Sequence, residues 1–248
     1  MKKIFTFGFL IFSLLFLNAN VNAQDCYYLN DNGICFSERE YEFFTKMYYD
    51  GYQSYMTQED MDKFANIELN PDNVKTVTYE DNGSFVPGAY SLQYVYYETT
   101  AKKLQMSSTG GSYPTIVLSA TWKGSPNVRS YDLIGTYLSG ITLLGSPSST
   151  ITYSGGSVSP SATKNTGSGF GSSLLLPSSG SNIVVSTTFT VTSGGTVYGS
   201  YQHAKKLISL SDSQSFTTSY SGLGHVFYFS NTNIRAKYDA MGGVHMSV

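Results

Sequence analysis

Hydrophobic and polar positions fall into three regimes along this chain, each with its own period. In the first, Lys2 and Lys3 precede an apolar run from Ile4 to Leu17, and Val21-Asn22-Ala23 sets small residues where a signal peptidase cuts. The run is shorter than the roughly 18 to 20 residues of a spanning helix. The pattern therefore predicts a bacterial-type export leader, residues 1–23, cleaved before Gln24, with no stable transmembrane segment after its removal.

The second regime, residues 24–73, has helical periodicity. Ser37 and Glu40 form a capping-box pattern. Tyr41, Phe44, Tyr48, Tyr52 and Tyr55 then recur at three- and four-residue spacing, with Gly51 weakening the last turn. Thr57, followed by Gln58, Glu59 and Asp60, starts a second helix, and Met61 and Phe64 face the same way. The expectation is a helical hairpin over Ser37 to Asn66 whose tyrosine stripe docks onto something, ended by Asn70-Pro71-Asp72.

From Val74 onward the period shortens to two, and turn signals punctuate the chain every 8 to 15 residues or so, as in a sandwich or jelly roll. Strands are expected over Val74–Glu80, Ser91–Thr99, Lys103–Ser107, Thr115–Lys123, Ser130–Leu144 (two strands), Ile151–Tyr153 and Ser172–Leu176. Ile183–Thr192 and Thr196–Ala204, joined by Ser193-Gly194-Gly195, form the best hairpin candidate. Further strands are expected near Leu207 and Phe216, over His225–Phe229, and over Ile234–Tyr238. The Ser/Gly/Thr/Pro-rich stretch from Ser146 to Gly171 reads either as a long loop or as a weakly patterned pair of strands. The fold expected is mainly β: a β-sandwich or jelly-roll-like domain over 74–248, preceded by a disulfide loop and the acidic two-helix hairpin over 24–73.

Composition sharpens this picture. Sparse charge and abundant Gly, Ser, Thr and Tyr suit half-buried pleated strands and their turns. The two cysteines, Cys26 and Cys35, flank Asp31-Asn32-Gly33, a turn sequence that brings them together as a disulfide in an oxidising compartment. Residues 24–73 carry eleven acidic side chains against three basic ones, whereas residues 74–248 carry ten basic against six acidic. The basic half has no dense Lys/Arg run, so the asymmetry reads as two parts that attract each other, with no nucleic-acid partner.

The sequence holds no His-Glu-x-x-His helix, no phosphate loop with its lysine and no Gly-x-Ser-x-Gly elbow. His203, His225 and His245 lack a local ligand spacing, so neither a metal nor another cofactor is expected. The most distinctive segment runs from Trp122, the single tryptophan, to Asp132. One reading makes Trp122 and Tyr131 a stacking platform for a sugar ring, with Arg129 and Asp132 binding hydroxyls. The other, which the burial habit of tryptophan favours, puts Trp122 in the core and pairs Arg129 with Asp132. Tyr201 and His203, in the alternating stretch from Tyr198 to Lys206, are further binding candidates if that strand faces a ligand; a central strand with a solvated polar face is the plainer reading.

The function these patterns support is that of an exported, secreted or cell-surface, non-enzymatic binding module for an extracellular protein or glycan. Two alternatives remain open to the sequence. A membrane-active β protein would use the alternation of Val185, Thr187, Phe189 and Val191 with Ser186, Thr188, Thr190 and Thr192. A polysaccharide hydrolase would draw two facing carboxylates from Glu80, Asp81, Glu98, Asp132, Asp212 and Asp239.

Overall fold

A computed structural model describes residues 26–81, 102–220, 224–239 and 242–248. The expected leader and the expected strand Ser91–Thr99 lie outside the described residues. The Cys26–Cys35 disulfide is present and closes a small two-stranded ladder of β1 (Tyr28–Leu29) and β2 (Cys35–Phe36). Then come α1 (Glu38–Met47) and α2 (Gln58–Asp62), followed by β3 (Lys75–Asp81), β4 (Lys102–Ser108), β5 (Thr115–Trp122), β6 (Tyr131–Ser139), β7 (Leu143–Tyr153) and β8 (Gly156–Val158). The chain continues through β9 (Ala162–Asn165), β10 (Gly169–Leu175), β11 (Val184–Val191) and β12 (Thr196–Gln202). It ends with α3 (Leu210–Ser213), β13 (Thr217–Thr218), β14 (Phe227–Tyr228), α4 (Thr232–Arg235) and β15 (Val244–Ser247).

Two antiparallel sheets pack face to face. One has the order β3-β4-β5-β11-β7-β8, the other β15-β12-β6-β10-β9. Alternate residues of each strand point into the space between them. Leu104, Ile116, Leu118 and Val185 of the six-stranded sheet meet Ile134, Phe170, Leu174 and Val197 of the five-stranded one in a single buried cluster. Gly199 marks a close approach between the sheets. A Cβ there would lie 2.6 Å from Met106 Cε and 2.8 Å from Leu118 Cδ1, so the backbone of β12 itself forms the packing surface.

Three expectations about individual elements are corrected. The strands joined by Ser193-Gly194-Gly195 are not a hairpin: β11 belongs to the six-stranded sheet and β12 to the five-stranded one. Their alternation specified two half-buried strands but not which partner each would pair with, and the turn carries the chain from one sheet to the other. Val185 and Phe189 therefore share one core with Val197 and Tyr201. The segment Ile234–Tyr238 is not a strand. Asn231 Oδ1 accepts the Asn233 amide at 2.9 Å and starts α4 instead. Leu207, 77% exposed, lies in a loop. The Ser146–Gly171 stretch takes the strand alternative, supplying the end of β7 together with β8, β9 and the start of β10.

The helical segment is shorter in each helix than its stripe suggested. Ser37 and Glu40 form the expected capping box, but α1 stops at Met47, where Tyr48 becomes extended. Gly51, at φ +84, then leads into a 3₁₀ turn over Tyr52–Ser54. The sheet explains the stop, because its outward polar side chains take the last carbonyls of the helix. Gln105 Nε2 donates to Tyr48 O at 3.0 Å and Ser107 Oγ donates to Lys46 O at 3.0 Å. Phe36, Phe43, Phe44, Met47, Tyr48 and Tyr52 then form a second buried cluster over Val117, which points outward from β5. Among the described residues no helix is long and apolar enough to cross a membrane.

Candidate functional site

Four of the six residues nominated from sequence meet at one end of the sandwich, and they meet inside it. Trp122 ends β5 with its indole turned into the core, 3% exposed. Its Nε1 donates to Tyr201 Oη at 2.9 Å, and Tyr201 in turn donates to Asp132 Oδ2. The Asp132 carboxylate, 0% exposed, also receives His203 Nδ1 at 3.0 Å and the Ala204 amide at 2.9 Å. The backbone N–H of His203 donates to Asp239 Oδ1 at 3.0 Å, and Asp239 forms an ion pair with Lys102. Lys102 Nζ lies 4.9 Å from the centre of the Trp122 ring, a cation over an aromatic face.

The electrostatics follow from this geometry. Burial, reinforced by the neighbouring Asp132 charge, holds the Tyr201 hydroxyl far above its ordinary value, so it remains a donor. Burial alone would lower the His203 value, but the Asp132 carboxylate and its hydrogen bond outweigh that and leave it raised. The cluster joins both sheets and the segment at Asp239 through charge-assisted hydrogen bonds in a buried setting. Trp122, Asp132, Tyr201 and His203 are all buried, so the cluster ties the two sheets together from within.

The remaining two nominees lie apart from it. Arg129 donates to the carbonyls of Pro177, at 2.5 Å, and Gly180, at 2.9 Å, clamping the loop after β10. The expected Arg129–Asp132 pairing is therefore replaced by backbone carbonyls on one side and the Tyr201/His203 cluster on the other. Tyr131 packs half-buried against a third apolar cluster, and its carbonyl accepts Tyr238 Oη at 3.0 Å. His245 stacks on Tyr198 with ring centres 5.8 Å apart, and His225 Nδ1 lies 3.4 Å from Gln202 Nε2. Among the described residues no group of three His, Cys, Asp or Glu side chains is placed to hold a metal.

An accessible site occurs where the helical segment overhangs the outer face of the six-stranded sheet, and of the six nominees Trp122 is among the residues lining it. Two adjoining crevices of about 480 and 500 Å³ share Tyr55, Thr152, Tyr153 and Ser154. Alternation along β7 builds the floor. Ser149 and Ile151 are buried between the sheets, whereas Ser148, Thr150 and Thr152 turn half-exposed hydroxyls toward the crevice. The opposite wall holds Tyr49, Tyr52 and Tyr55, the last 58% exposed.

The wall extends into α2. Thr57 and Asp60 form a second capping box there, and Lys63 Nζ reaches Asp60 Oδ1 at 2.7 Å. Burial disfavours the Asp60 charge, but the bonds from Lys63 and Thr57 prevail and its carboxyl sits below the usual range. Burial raises the Tyr49 hydroxyl to about 12 despite its bond to Thr152, so both walls present neutral hydroxyls. Sequence reasoning did not single out this face, although the period-two hydroxyls Ser148, Thr150, Thr152 and Ser154 lie in the stretch read as either a long loop or a weakly patterned pair of strands.

No family model, no curated protein and no solved structure matches this chain.

Proposed function

We propose that this chain is an exported binding module, and that the tyrosine- and hydroxyl-lined crevice beneath the helical segment is its ligand site. The observation that carries the reading is the pairing of an exposed aromatic face, Tyr55, with a row of outward hydroxyls on β7 across the same cleft. An amphipathic ring with hydroxyl donors and acceptors at fixed spacing suits a polyhydroxylated ligand, a glycan, whose apolar ring face stacks while its hydroxyls bond. The reading is one of binding: the carboxylate–imidazole cluster is enclosed in the core, and of the crevice carboxylates Asp60 is committed to Thr57 and Lys63 while Glu59 is exposed beside it.

Calorimetric titration of the secreted chain with cellohexaose, maltohexaose and chitohexaose tests this reading. We expect one of them to bind, and Tyr55→Ala to weaken that binding at least tenfold, about 1.4 kcal/mol. Absence of binding to all three, or binding indifferent to Tyr55, contradicts it. Intact mass of the secreted material tests export in the same preparation, with a mature start at Gln24 expected.

A further inference from the structure

The wall that presents Tyr55 is held from one side by the disulfide loop. Four consecutive carbonyls, those of Gln53, Ser54, Tyr55 and Met56, all accept hydrogen bonds from three consecutive loop residues. Asn30 Nδ2 donates to Gln53 O at 3.0 Å and to Met56 O at 2.8 Å. The Asp31 amide donates to Ser54 O at 3.2 Å, and Asn32 Nδ2 donates to Tyr55 O at 3.0 Å and to Met56 O at 3.1 Å. Tyr28 Oη and Ser54 Oγ, 2.8 Å apart, add a side-chain bond.

Asn30 is the centre of this arrangement. It is buried, and its Oδ1 accepts the amides of Asn32 at 3.0 Å and Ile34 at 2.9 Å, shaping the loop with one end of the side chain. The other end reaches the crevice wall. Cys26 and Cys35 lock the stem of the same loop, and covalent closure limits the conformations from which these donors must be gathered.

We propose that the Cys26–Cys35 loop is a redox-conditional brace for the ligand crevice, with Asn30 as its positioning residue. With the disulfide formed, the donors of residues 30–32 hold the Gln53–Met56 backbone and keep Tyr55 facing β7. Reduction adds two electrons and two protons from a thiol reductant, leaves two thiols, and frees the loop. The wall then loosens while the sandwich, whose core lies between the two sheets, persists. The proposal rests on the crevice reading for its meaning in binding, but the brace is measurable with no glycan present.

Hydrogen exchange of the full secreted chain tests it, read at the amides of Ser54, Tyr55 and Met56 in the oxidised chain, the chain reduced with dithiothreitol, and the Asn30→Asp variant. Aspartate retains the oxygens that shape the loop but lacks the N–H donors to the wall. Exchange at least tenfold faster at these three amides is expected in both altered chains. Protection at Leu118 and Ile134 should stay unchanged, and reoxidation should restore the reduced chain. Unchanged wall protection in either altered chain overturns the brace. So does loss of protection at Leu118 and Ile134, which would make the loop a support for the whole fold. Whichever hexasaccharide binds the oxidised chain should bind the reduced chain at least tenfold more weakly, and equal affinity would overturn the coupling. If none binds, the crevice reading fails while the exchange result still decides the brace.

Discussion

Replacing Asp132 by asparagine is the sharpest test of the inter-sheet cluster. The substitution is nearly isosteric, so its cost comes from charge and donors rather than a cavity. In the native chain three donors converge on the carboxylate: Tyr201 Oη, His203 Nδ1 and the Ala204 amide. Asparagine offers one acceptor oxygen and puts an NH₂ where the second oxygen was. If the oxygen keeps Ala204, the NH₂ faces a donor, and Tyr201 must turn its proton away although Trp122 Nε1 already donates to its oxygen. The imidazole also loses the charge that favours its protonated form.

Breaking a buried pair from one side costs about 3 to 5 kcal/mol. At about 2 to 4 °C per kcal/mol for a domain of this size, the melting temperature should fall by roughly 6 to 20 °C. Urea unfolding followed by the emission of Trp122, the single tryptophan, measures the loss directly. Tyr201→Phe is the milder companion and should cost about 1 to 3 kcal/mol, because it strands the indole N–H and leaves Asp132 Oδ2 with His203 Nδ1 as its donor. A loss for Asp132→Asn below about 0.5 kcal/mol, the size of an ordinary surface substitution, would refute the assignment of the cluster as a tie between the sheets.

Phe44 is fully buried among Phe36, Phe43 and Phe64, with ring centres 5.1 to 5.8 Å away, so Phe44→Ala should cost about 3 to 5 kcal/mol in the same assay. An unchanged midpoint would mean the helical segment does not depend on that packing. The raised His203 value gives stability an alkaline slope. Its contribution is complete below the unfolded value of 6.5 and is lost as pH rises through the higher folded value, with Asp132, Asp239 and Lys102 as the facing charges. The lowered Asp60 value works in the opposite sense, contributing above its unfolded 3.8 and fading as pH falls through the folded value. Urea midpoints across pH 3 to 9 check both slopes, and His203→Gln should flatten the alkaline one.

The sandwich was legible because alternation and turn residues are local properties of each strand. Lys103–Ser107, Thr115–Lys123 and Ile183–Thr192 all fall on strands of the fold. Pairing partners were not legible, since Ser193-Gly194-Gly195 serves equally as a hairpin turn or as a corner between sheets. The disulfide, the Ser37/Glu40 capping box and the start of α2 at Thr57 were readable from short spacings, but the end of α1 was not, because the groups that take its carbonyls lie on β4, far along the chain. Trp122 and Asp132 stood out as the ends of the most distinctive segment, and Tyr201 and His203 as members of an alternating polar and aromatic stretch. Their meeting in the core depends on which strands face each other, which no local pattern encodes. The crevice escaped notice for a complementary reason: serines and threonines are so common here that a row of them stands out only once β7 is seen from its outer face.

The central claim is that a ligand occupies the crevice between the tyrosine wall and β7. Amide chemical-shift mapping of the secreted chain, titrated with whichever hexasaccharide binds, tests it most directly. The account predicts shifts gathered at Tyr52–Lys63 and Ser148–Ser154. Shifts gathered instead on the outer face of the five-stranded sheet, around Tyr198 and His245, would contradict it.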